Sequence, residues 1–124
     1  MLALHRDAAS AYRNSAFDAR VRGSSSAELV LLCIDQLIDG LGNALRANEL
    51  GDNGRRADGI TRSLSALTAL DMGVDRSAPL GPALAQLYTA ARKEVLACVT
   101  DFVPDRLGRV RDDFVDLARA FRQG

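Results

Sequence analysis

One helix-length segment, residues 25–48, is apolar around more of its circumference than a small helical domain needs. With successive residues stepped roughly 100° apart, Leu29, Gly40, Cys33, Ala44, Leu37, Val30, Leu41, Ile34, Leu45, Ile38 and Leu31 fall on one unbroken arc of about 200°. Asp35, Arg46, Asp39, Asn43 and Gln36 fill the remainder, with Leu32 the one apolar residue among them. A surface helix needs a stripe a little over ~100° wide to face its core. This helix therefore either lies among neighbours over most of its girth or offers a second apolar face to something else. On the second reading the face is Val30, Ile34, Ile38, Leu41 and Leu45. Left outside a core, these five make a strip larger than a monomer normally exposes. Covering them with a partner supplies on the order of 10 kcal/mol gross, before the partner's ordering is subtracted.

The rest of the chain limits what such a face can serve. A length of 124 residues fits one domain. Basic and acidic residues balance at 16 each, so no net field draws the chain to nucleic acid or to an anionic membrane. The stretch from Leu29 to Leu41 is broken by Asp35, Gln36 and Asp39, which argues against membrane insertion. The opening MLALHRDAAS lacks the apolar run of a secretory signal, and the expected location is the cytoplasm.

Catalytic, metal and cofactor chemistry find little support. Cys33 and Cys98 stand far apart, without CxxC spacing or a nearby histidine, and each falls on the apolar side of its helix; buried free thiols are expected. The single histidine, His5, lies in the N-terminal segment with nothing to anchor it in a triad. Asp112 and Asp113 are adjacent, so on a helix their carboxylates diverge by about 100°. The glycines of GDNG and PLGP match no phosphate-cradling pattern. Few glutamates and no Glu-x-x-His pair leave a di-metal bundle site without ligands. The expectation is a protein with no catalytic residue, no metal and no cofactor.

Two regions are expected. Residues 1–22 form an N-terminal arm or short helix carrying Tyr12 and Phe17, and residues 23–124 form the bundle. Ser25 and Glu28 stand in the S-x-x-E relation of a capping box, which starts the first helix. Gly51 to Gly54 is a polar break that ends it and caps the next. The second helix, about 54–72, has Ala57, Ile60, Leu64, Leu67 and Leu70 at intervals of three and four. Gly59 weakens it by roughly 1 kcal/mol relative to alanine, so packing must hold it. The third, about 80–102, tolerates Pro82 in its first turn and aligns Leu84, Leu87, Tyr88, Ala91, Val95, Cys98, Val99 and Phe102. Pro104 opens the fourth, whose Leu107, Val110, Phe114, Leu117 and Phe121 alternate three and four apart as a bundle seam does. Four helices with short breaks and no strand-like alternation predict an all-α, antiparallel up-down four-helix bundle.

The order of these features resembles the flagellar secretion chaperone family FliS. It comprises Tyr12 in AYR, then SSSAELVLLCIDQLIDGL, the GD break, a helix ending Leu70-Asp71-Met72, and Leu87-Tyr88 in the third helix. Where members carry a serine-proline-acid start this chain has Ser25-Ser26-Ala27-Glu28, and Ile34-Asp35-Gln36 stands for their Tyr-Asp-Gly. The resemblance implies a cytosolic export chaperone that binds the disordered C-terminal segment of flagellin, prevents premature polymerisation and delivers subunits to the flagellar export gate. It also implies that the arm bearing Tyr12 and Phe17 acts as a lid over the client surface, for which Val30, Ile34, Ile38, Leu41 and Leu45 are the candidate residues. The residues leave two points open: monomer or homodimer, and, as an alternative function, a helical self-associating interaction module with a different client.

Overall fold

A computed structural model describes residues 26–123, which form four helices: α1 (Ser26–Glu49), α2 (Asn53–Gly73), α3 (Gly81–Thr100) and α4 (Pro104–Gln123). The N-terminal arm, with Tyr12, Phe17 and His5, and the Ser25 half of the capping box lie outside the described residues. Helix borders agree with the sequence expectation to within two residues. α3 stops at Thr100 because Asp101 turns extended, and Pro104 then disfavours helical backbone at the residue before it.

The connections follow the local chemistry. Gly51 ends α1 with φ +69°, a backbone region that glycine enters without a Cβ clash, and the amide of Asp52 donates to the carbonyl of Ala47 at 2.9 Å. Asp52 then caps α2 by accepting from the amide of Arg55 at 3.0 Å. In the next turn the Asp75 carboxylate accepts from both the amide and the hydroxyl of Ser77. A Cβ on Gly81 would run into the carbonyl oxygen of Asp75, so the turn crosses the start of α3 only because that residue is glycine.

Consecutive helices run antiparallel, and α1 closes the ring by packing on α4 as well as on α2. The core sits between all four: Ile34, Leu37 and Leu41 of α1, Leu67 and Leu70 of α2, Tyr88, Val95 and Cys98 of α3, and Leu107, Val110 and Phe114 of α4. Tyr88 stacks on Phe114 with ring centroids 6.1 Å apart, joining α3 to α4.

The tightest contact is between α1 and α2, and it is made by small residues. A Cβ on Gly59 would stand 2.7 Å from the carbonyl oxygen of Gly40 and 2.8 Å from the amide of Ala44, so the two backbones touch there. Ser63 is fully buried beside them and its hydroxyl donates to the carbonyl of Gly59 at 2.8 Å. Of the α2 face expected from its large residues, Ile60, Leu67 and Leu70 are buried, whereas Leu64 is half-buried and Ala57 is exposed. Gly59, Ser63 and Ala66 are buried in addition, and Gly59 and Ser63 lie against α1.

Candidate functional site

The broad apolar arc of α1 is mostly core. Ile34 and Leu41 are 0% exposed, which removes them from any surface strip. The strip proposed from sequence treated five residues as one face, but two of them point at the bundle axis. Val30, Ile38 and Leu45 are half-buried and packed against that core. The reason is geometric, since α1 touches both α2 and α4 and so uses the margins of the arc as well as its centre. Asp35 marks the α4 side: both its carboxylate oxygens accept from the Arg122 guanidinium at 2.9 Å. Ile38 and Leu45 fall between that side and the core.

The apolar surface that remains open lies elsewhere. Leu50, Met72 and Leu80 are exposed at turns or helix ends, but Leu96 and Val99, at 46% and 59% exposure, lie within α3. Arg92 donates to the Thr68 hydroxyl at 2.7 Å and so sets the register of α3 on α2. Continued along two antiparallel helices, that register brings Leu96, one turn on, level with the half-buried Leu64, and Val99 level with Thr61. The seam ends at the half-buried Phe102, whose ring lies under the Arg56 guanidinium, 4.9 Å from the centroid. Arg56 is itself steadied by Asn48, whose side-chain oxygen accepts from it at 2.8 Å. From Arg92 to Phe102 the groove runs about 15 Å, or three helical turns.

Sequence reasoning placed Val99 in the core and passed over Leu96. The signal was present: Leu96 stands outside the apolar arc of α3 and Val99 stands at its edge. Mapping Leu64 against Leu96 required the Thr68–Arg92 register, which helical spacing alone does not supply.

The two thiols are free. Cys98 is buried and Cys33 only half-buried, so the expectation of full burial holds for the first alone. Burial pushes the Cys33 thiol up, and it pushes the Tyr88 phenol up as well, with the neighbouring Cys33 adding to the effect. Both groups stay neutral near neutral pH and serve packing. Among the described residues no group of three or more His, Cys, Asp or Glu side chains is placed to hold a metal ion. Asp112 and Asp113 are both exposed on α4. No helix among the described residues is long and apolar enough to cross a membrane. What the surface offers chemically is a non-covalent groove of apolar side chains with cations at both ends.

No curated protein matches the chain. The model of one protein family, described as flagellar protein FliS, matches residues 8–123. That span takes in all four helices, both seams of α1 and the α2–α3 groove, and the chain belongs to the FliS family.

Proposed function

We propose that this chain is a cytosolic flagellar export chaperone that binds the disordered C-terminal segment of flagellin, keeps subunits from polymerising early and assists their passage to the export gate. Membership of the FliS family over residues 8–123 carries the reading. The bundle is suited to the task in physical terms. A polymerisation segment has amphipathic stretches that self-assemble when free, and apolar grooves on a stable helical scaffold can cover them as they fold on binding. Part of the contact energy is offset by that ordering, so a client can be held over a long path and still be released.

The client lies along the α2–α3 groove on Leu64, Leu96 and Val99, and reaches α1 at Val30, near the start of the helix, and at Ile38 and Leu45 on its α4 side. Ile34 and Leu41 act from beneath, by fixing where those side chains stand. In the free protein the arm with Tyr12 and Phe17 covers part of the α1 strip as a lid until flagellin displaces it.

The test is polymerisation of flagellin from the same genome, followed by light scattering. One equivalent of the chain is expected to suppress filament growth. Unchanged growth at equimolar and at excess chain overturns the reading.

A further inference from the structure

We infer that the α2–α3 groove selects an amphipathic helix whose apolar stripe is bordered by acidic side chains. The groove carries apolar residues along its length and, at its ends, cations that make no ion pair among the described residues. α3 has one carboxylate, Glu94, and that is turned to Arg106 of α4 at 3.2 Å. Arg92 is committed to the neutral hydroxyl of Thr68, and Lys93 beside it is exposed; neither is paired with a carboxylate among the described residues. At the other end Arg56 is held on neutral groups, the Phe102 ring and the Asn48 amide, and makes no ion pair among the described residues. The other ion pairs among the described residues leave these three cations out.

A helix of about three turns spans the distance from Arg92 to Phe102. Its large apolar residues, three and four apart, pack on Leu64, Leu96 and Val99. Acidic residues near its two ends then meet Arg56 and the Arg92–Lys93 pair, while lysines at those places are repelled. A like-charged helix with the same stripe is thereby rejected, which gives the groove a preference that apolar contact alone lacks. The inference rests on the chaperone reading for the place of the groove in client binding, and it adds the charge class of the bound segment.

The experiment uses the full chain and two labelled helical peptides of about 20 residues with the same leucine stripe, one bordered by glutamates and the other by lysines. Fluorescence anisotropy at low salt is expected to give about tenfold tighter binding for the glutamate peptide, falling toward parity at high salt. Lys93→Glu should remove most of the preference, and Leu96→Asp should abolish binding of either peptide. Circular dichroism of each variant confirms that these exposed substitutions leave the bundle folded. Equal affinities for the two peptides, binding of neither, or wild-type binding by Leu96→Asp would overturn the inference. Such a result is distinct from failure of the chaperone reading, which is decided by flagellin polymerisation with the wild-type chain.

Discussion

Replacing Gly59 with alanine sets two effects of known size against each other at the closest approach in the bundle. In an open helix the change stabilises by up to about 1 kcal/mol, because alanine restricts the unfolded chain and is the better helix former. Here the new Cβ would stand 2.7 Å from the Gly40 carbonyl oxygen, 2.8 Å from the Ala44 amide nitrogen and 3.0 Å from the Ala44 Cβ. Two of these are backbone atoms of another helix and cannot rotate away. Ordinary contact begins at 3.4 Å, so α1 and α2 must separate by about 0.7 Å there, the difference between 3.4 and 2.7. A gap of that size forfeits a quarter to a half of the dispersion at each affected contact, and overpacking of this kind costs about 1–3 kcal/mol. The clash wins, with a net loss of up to about 2 kcal/mol once the propensity gain is subtracted. Gly42, two residues from Gly40, is the internal control, since a Cβ there meets nothing within 4 Å. Gly42→Ala should stabilise by about 0.5–1 kcal/mol. Thermal unfolding followed by circular dichroism should therefore separate the two variants by roughly 5–15 °C, with wild type between them. A Gly59→Ala variant that melts at or above Gly42→Ala would refute the backbone-contact account of the α1–α2 interface.

Three further outcomes follow from burial and charge. Leu41→Ala should destabilise by about 2–5 kcal/mol in urea titration, while Leu96→Ala stays within about 0.5 kcal/mol of wild type yet weakens client binding. Asp75 titrates below its ordinary value of 3.8, chiefly because the Ser77 hydroxyl, and then the Ser77 amide, donate to its carboxylate. A folded-state value below the unfolded one means that this contribution is present above pH 3.8 and is lost as the pH falls through the lowered value. Carboxyl NMR titration should find that shift, and Ser77→Ala should return Asp75 toward 3.8. Under native conditions iodoacetamide should label the half-buried Cys33 slowly, its thiolate being suppressed by burial, and should reach Cys98 only on unfolding.

The fold was legible because its signals are local. The Gly51–Gly54 break, Pro82 in a first turn and the three-four alternation from Leu107 to Phe121 each act through neighbouring residues, and each marks a boundary or face that the bundle adopts. What the spacing did not resolve were the details that depend on a partner helix. On α2, counting apolar residues found Ile60, Leu67 and Leu70, which are buried, but also took in the exposed Ala57 and the half-buried Leu64 and missed Gly59 and Ser63, on which α1 rests. Small residues at a close crossing carry no hydrophobic signal, though the sequence already held Gly40 and Gly59. On α1 the width of the apolar arc was real, but a helix flanked on two sides consumes a wide arc internally, so width alone did not imply a free face. Ile34 and Leu41 are core for that reason. The exposed pair Leu96 and Val99 became a groove only once Arg92 was seen on Thr68.

The most direct test of the central claim is isothermal titration of this chain with a peptide of about forty residues from the C-terminus of the flagellin in the same genome. The account predicts submicromolar binding with a negative heat-capacity change from apolar burial, tighter still when residues 1–22 are removed. Absence of binding, both by the whole chain and by the chain lacking residues 1–22, would contradict it.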